Sequence, residues 1–343
     1  MLTERQILIL QVTVDDFIQT AQPVGSRQLS KKELVPFSPA TIRNEMADLE
    51  ELGYLEKTHT SSGRIPSEKG YRYYVDHMSA PNQLSSDEMQ KLHSIFEEKR
   101  LESEQIIRKS AEIIAELTTY TTILLGEDVQ KHRVRKFSMV PLSSETAVSI
   151  IVTDHGHVQN RLVEIPYDFK MVDLERMVEQ INQHVIGAHL YEIPSILGRV
   201  MNHLIEQHEG RMTEVFEALT QSISENSEEK VVYGGKMQLF NQPEFNDWQK
   251  ARGILEFMQQ LEEHPRTIVP NSSGLSIRIG SENNMDSMEN CSIVTATYSF
   301  GEKQKGQIAI IGPMRMDYRR VISLLDYVTG DLSRELTRIL HSK

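Results

Sequence analysis

Apolar residues in the first 80 positions recur at steps of three and four, and that spacing predicts a run of short amphipathic helices. Ile7, Leu10, Val14, Phe17 and Ala21 form one stripe, with Thr3 and Gln6 spaced as a capping box ahead of it. After a break at Gln22 to Gly25, Ser26 is placed to cap a short second helix through Gln28, Leu29 and Lys32. Val35 to Phe37 reads as a turn. Ser38 as N-cap, Pro39 at the first helical position and Gly53 beyond the last turn bracket a third helix. Its stripe is Ile42, Met46, Leu49 and Leu52, and the opposite face carries Ala40, Asn44 and Ala47, flanked by Thr41 and Arg43. Tyr54 to Thr58 reads as a strand, Ser61 to Gly63 as a tip and Arg64 to Pro66 as a return strand ending on a proline tolerated there. Ser67 then caps a fourth helix with Tyr71, Tyr74 and Val75 on one side.

Helix, helix, turn, helix and a basic hairpin is the order of a winged helix-turn-helix. Two alanines beside an asparagine make the third helix low in relief on its outer face. A major groove admits such a surface closely; Asn can bond adenine N6 and N7, and Ala can touch a thymine methyl. The helical phase therefore assigns Thr41, Arg43 and Asn44 to base edges, with Ala40 and Ala47 in close approach. Arg27, Lys31 and Ser38 fall to the phosphates, and His59, Ser61, Ser62, Gly63 and Arg64 form the wing.

Charge sharpens this picture. The 343-residue chain carries a formal net charge of −12, unlike a general nucleic-acid binder. Between Ser26 and Met46, however, Arg27, Lys31, Lys32 and Arg43 outweigh Glu33 and Glu45 by +2. Between Lys57 and Tyr73, Lys57, Arg64, Lys69 and Arg72 outweigh Glu68 by +3. Basic charge focused on the reading parts of an acidic protein favours selective binding. The acids of the first 78 residues, Asp15 and Asp16 among them, are expected on surfaces facing away.

Ser79 to Asp87 has the composition of a linker. Helical period then runs to Leu117, and strands are predicted at Thr118 to Leu125, Phe137 to Pro141, Thr146 to Thr153 and His157 to Ile165. Met171 to Ile186, Ile196 to Gln207, Met212 to Ile223 and Phe245 to Leu261 are helical, with Gly234-Gly235 as a turn. Strands return at Leu275 to Ile279, Cys291 to Tyr298 and Gly306 to Ile311, before a terminal helix from Asp317. Strands on either side of a helical block suggest one sheet interrupted by an insertion, and the strands between Phe137 and Ile165 fit either sheet.

Enzyme chemistry finds little support. His155 and His157 flank a glycine turn with only Asp154 beside them, and His203 and His208 are five apart, off the i, i+4 register of a helix-borne metal pair. Gly234-Gly235-Lys236 lacks the rest of a phosphate loop, and no Gly-x-Ser-x-Gly elbow occurs. The single cysteine, Cys291, excludes an intrachain disulfide and a cysteine-cluster metal site. No apolar run approaches the roughly 20 residues of a membrane span, and a capped helix stands where a signal peptide would lie. A cytoplasmic protein without cofactor or metal is expected.

The run SPATIRNEMADLEELGYLEKTHTSSGRIPSEKGYRYYVD resembles the DNA-binding domain of the HrcA family of heat-inducible transcription repressors, bacterial regulators of chaperone operons. IIVTDHGHVQNRLVEIP and GQIAIIGPMRMDYRRVISLLDYVTGDL extend the resemblance over essentially the whole chain. It implies an α+β, multidomain protein: a winged helix-turn-helix at 1–80, a GAF-like antiparallel-sheet domain at 88–166 and 264–343, and an inserted helix-rich dimerisation domain at 167–263. It further implies a homodimer on an inverted-repeat (CIRCE) operator in double-stranded DNA, with half-sites about 10–10.5 bp, or a multiple, apart. Activity is then modulated by the chaperonin GroEL and lost on heat stress. Two other readings stay open: a ligand-responsive regulator that uses the GAF-like domain as sensor, and a winged-helix module that contacts proteins only.

Overall fold

The computed structural model describes residues 2–57, 63–78, 83–95, 103–125, 132–154, 157–165, 171–205, 231–245, 247–263, 274–300 and 304–341. The fold is mixed α+β with several sheets and divides into two compact units, 1–125 with 231–343, and 126–230. The expected tip residues His59, Ser61 and Ser62 and the helix expected at Met212 to Ile223 lie outside the described residues.

The first unit begins with α1 (Glu4–Thr20), α2 (Ser26–Leu29) and α3 (Pro39–Glu51), followed by β1 (Leu55–Lys57), β2 (Arg64–Pro66) and α4 (Glu68–Met78). The Thr3–Gln6 capping box forms as the spacing predicts. Ser26 instead opens α2 as its first residue, and Gly25 is the N-cap without a side-chain bond. Ile42, Met46 and Leu49 are buried, but Leu52 is 47% exposed, because the helix has ended and Leu52 is its C-cap.

α5 (Ser86–Ser94) is capped by Ser85 and α6 (Ser103–Thr118) follows, so the polar Ser79 to Asp87 stretch already enters a helix at its end. A five-stranded antiparallel sheet runs β7-β3-β10-β9-β8, built from β3 (Thr121–Leu125), β7 (Val231–Gly234), β8 (Ser276–Ile279), β9 (Cys291–Phe300) and β10 (Gln304–Pro313). Val231 to Gly234, expected to lead into a turn, is thus an edge strand paired with β3. Strand alternation sends Leu124, Val294, Ile308 and Ile310 to one face and Ile123, Ile293, Ala309 and Ile311 to the other. The first face is covered by α6 and the terminal helix α10 (Tyr318–His341); the second by Phe245 and by α9 (Trp248–Glu263), through Ile254, Phe257 and Leu261.

The second unit holds β4 (Val134–Pro141), β5 (Thr146–Thr153) and β6 (Val158–Glu164) in a three-stranded meander, with α7 (Met171–Val185) and α8 (Ile193–Ile205). Phe137, Ala147, Ile151 and Val163 pack against Leu174, Met177 and Ile181 in a core of its own. This division departs from the boundaries expected at 167 and 263. The strands between Phe137 and Ile165 go with the helices that follow them, and α9 goes with the five-stranded sheet. Among the described residues no helix is long and apolar enough to cross a membrane.

Candidate nucleic-acid interface

α3 is positioned by its neighbours. Ile42 and Leu49 are fully buried beneath it, each stabilising the packing by about 1.5–3 kcal/mol. Arg5 of α1 ties to its flank, donating to Glu45 at 3.1 Å and lying 5.2 Å over the Phe37 ring. At its start Ser38 Oγ accepts the Thr41 N–H at 3.1 Å and shares a hydrogen bond with Thr41 Oγ1 at 2.9 Å. Thr41 is therefore half-buried and engaged in the cap.

Ala40, Arg43, Asn44 and Ala47 are all exposed, so the surface that helical phase singles out is brought together on one side of α3. Arg27, Lys31, Ser38 and Lys57 are exposed as well, and neither Arg27, Lys31, Arg43 nor Lys57 carries an ion pair among the described residues. At the helix start Pro39 has no N–H and the Thr41 N–H goes to Ser38, so the Ala40 N–H and the positive end of the helix dipole are what suit an anionic oxygen.

The hairpin is held more tightly than its composition suggests. Leu55, Glu56 and Lys57 pair with Pro66, Ile65 and Arg64. Val24, between α1 and α2, extends the ribbon with two hydrogen bonds to Arg64, at 2.8 and 2.9 Å. Gly63 is buried there, and a Cβ on it would stand 2.8 Å from Pro23 Cβ, so glycine is required by that close approach. Arg64 turns inward and donates through Nε to Glu50 Oε2 at 2.6 Å. Lys69 bonds the Leu52 carbonyl at 2.8 Å above the Tyr54 ring, and Arg72 pairs with Glu282.

Most of the +3 counted between Lys57 and Tyr73 is thus occupied inside the protein. The acids are likewise not turned away. Asp16 is buried and accepts from Lys32 and Gln28, bracing α2 on α1, and Asp15 accepts the Tyr74 hydroxyl at 2.5 Å. Burial, reinforced by that carboxylate, pushes the Tyr74 phenol well above its ordinary range and keeps it a donor. Glu50, Asp16 and Val24 are the working residues that spacing did not reveal, since their partners are distant in sequence.

Comparison with known proteins fits this geometry. A family model described as the HrcA protein C terminal domain matches residues 104–322. The heat-inducible transcription repressor HrcA of Lysinibacillus sphaericus is 56% identical over 339 residues, spanning 98% of this chain and 99% of that protein. The protein of the same name from Bacillus pumilus is 47% identical over 340 residues, spanning 99% of each. A crystal structure of a hypothetical protein shares the fold, with a TM-score of 0.66 at 22% identity, covering 98% of this chain and 99% of that one. These relationships, with the exposed face of α3, define a transcription regulator. More narrowly, the chain belongs to the HrcA family of heat-inducible transcription repressors, and its work is repression, not catalysis.

Proposed function

We propose that this repressor binds an inverted repeat in double-stranded DNA as a homodimer, each protomer laying α3 in the major groove of one half-site. In this reading α1 to α4 with β1 and β2 form a winged helix-turn-helix whose ribbon lies against neighbouring backbone or minor groove. The five-stranded sheet and its helices serve as the GAF-like domain, and the unit at 126–230 takes the dimerising role. Arg43 and Asn44 read base edges, and Ala40 and Ala47 permit close approach. Arg27, Lys31 and the Ser38 end of α3 hold phosphates. Thr41 completes the cap, and Arg64 braces the wing on Glu50.

The observation that carries this reading is the exposed, low-relief face of α3, with cations beside it that the protein leaves unpaired among the described residues. A module that contacts proteins only would gain support from a buried α3 face, and the face is open. Repression takes place in the cytoplasm on chaperone operons and is relieved by heat. GroEL raises the fraction of correctly folded repressor, and operator affinity scales with that fraction. The test is an anisotropy titration of a labelled chaperonin-operon inverted repeat against a scrambled duplex at fixed salt, with and without GroEL and ATP. Operator-selective binding strengthened by chaperonin is expected. Selective binding indifferent to chaperonin would remove the folding control, and absence of selectivity would remove the DNA reading.

A further inference from the structure

We infer that Lys57, not Arg64, is the residue through which the β1–β2 ribbon holds DNA, and that it grips a phosphate without reading sequence. The inference rests on the reading of α3 as a major-groove helix. Four cations lie between Lys57 and Tyr73, and three of them have partners inside the protein: Arg64 on Glu50, Lys69 on the Leu52 carbonyl and Arg72 on Glu282. Lys57 is exposed, and its ammonium has neither ion pair nor hydrogen bond among the described residues.

Lys57 pairs directly with Arg64 in the antiparallel register, so the two side chains leave the same face of the ribbon, beyond the buried Leu55 and Pro66; Glu56 falls on the other face. Like charges directly opposite one another repel. Glu50 takes up one of them through the 2.6 Å bond from Arg64 Nε, and the Arg64 side chain is only 17% exposed. The other is left facing solvent, an arrangement that an anion from outside the chain completes. Helical phase shows on which side. Glu50 follows Arg43 by seven residues, about two turns, so both stand on one flank of α3. The ribbon, tied to Glu50, brings Lys57 to the flank that already carries Arg43. A duplex that takes α3 into its major groove presents phosphates along the flanks of that helix.

The ribbon keeps this place through its backbone. Val24 and Arg64 exchange N–H and carbonyl at 2.8 and 2.9 Å, and Gly63 fits against Pro23, so the Arg64 side chain is not needed to hold Lys57. Chemistry separates the two cations further. A planar guanidinium matches base edges and inserts into narrow A·T minor grooves, but the Arg64 fork is committed to Glu50. The ammonium of Lys57 is a compact point charge that any phosphate satisfies. The ribbon therefore adds affinity and salt dependence, and leaves discrimination to α3.

The experiment measures the affinity of the full chain, Lys57→Gln and Lys57→Arg for the operator and the scrambled duplex across a salt series, with thermal melts alongside. Lys57→Gln is expected to reduce the slope of log affinity against log salt by about 1 and to weaken both duplexes by the same factor, to within about twofold. Lys57→Arg keeps the charge and is expected to keep the slope. Lys250→Gln removes an exposed lysine of α9, on the other face of the sheet from the core that α1 to α4 share, and is expected to change neither quantity. Exchanging A·T for G·C pairs beside the half-site is expected to leave the Lys57→Gln factor as it was. An unchanged slope in Lys57→Gln would overturn the inference alone, and a loss confined to the operator or to A·T flanks would overturn it by giving the ribbon a base-reading role. An unaltered chain without operator preference would overturn the inverted-repeat reading, while the slope on the scrambled duplex still decides the role of Lys57. A chain that binds neither duplex would overturn both.

Discussion

α3 and α4 leave the same small helical core in opposite senses. α3 turns Ala40, Arg43, Asn44 and Ala47 to solvent, so its outer face has small side chains and one cation, Arg43, without an ion pair among the described residues. α4 buries Tyr71 and Tyr74, hands Arg72 to Glu282 and fits Gly70 so closely that a Cβ there would stand 2.2 Å from the Tyr54 carbonyl oxygen. The stretches that run into the two helices, 26–46 and 57–73, count +2 and +3 in sequence, yet only the first keeps most of its cations free of ion pairs among the described residues. The difference teaches that a positive charge count locates a nucleic-acid surface only after internal partners have been subtracted.

The largest effect that would break this comparison belongs to α4. Tyr74→Ala removes a buried ring and leaves Asp15 without its hydroxyl donor, so chemical denaturation is expected to show a loss of about 3–5 kcal/mol. A loss below about 1 kcal/mol would mean that α4 is not anchored as described. At the start of α3, Ser38→Ala removes the cap bond to Thr41 and is expected to lower stability by about 1 kcal/mol, read from the same denaturation curves.

Salt dependence separates the two kinds of cation. Arg43→Ala is expected to reduce the slope of log affinity against log salt by about 1, whereas Arg64→Ala, already paired with Glu50, is expected to leave the slope unchanged. Equal reductions would return Arg64 to the DNA surface. The smallest effect lies in the sheet. Burial, with the Glu244 carboxylate adding to it, pushes the Cys291 thiol up to about 12. Because the neutral thiol is favoured in the folded state, its contribution to stability is full below the ordinary thiol value and is lost as pH rises from there towards about 12. Thiol labelling at pH 8 is expected to be negligible in the native chain and complete in urea; rapid native labelling would contradict the burial.

The parts of this fold that local chemistry dictates were legible in sequence. Ser38-Pro39 opens α3, the Ile42, Met46 and Leu49 stripe faces inward, and alternation in Thr146 to Thr153 marks β5. What remained hidden depends on pairs far apart in the chain. Arg315 meets Ile18, 297 positions away, and no periodicity links them. β7 has only four residues and becomes a strand because β3 offers an edge, so its Val231-Val232-Tyr233 run was a weak signal beside two glycines. The limits of the second unit were misplaced because β4 to β6 could equally well have joined either sheet by pattern; only their burial against α7 decides. In the candidate interface, helical phase found the exposed α3 face, while the inward turn of Arg64 required the position of Glu50.

The most direct test of the proposal that the exposed face of α3 reads DNA is the affinity of Asn44→Ala for operator and scrambled duplexes at one salt concentration, with melts of both proteins. Asn44 is exposed, so the melts are expected to coincide. Operator affinity is expected to fall by about 1–3 kcal/mol while affinity for the scrambled duplex stays as it was. Unchanged discrimination between the two duplexes would contradict the placement of α3 in the groove.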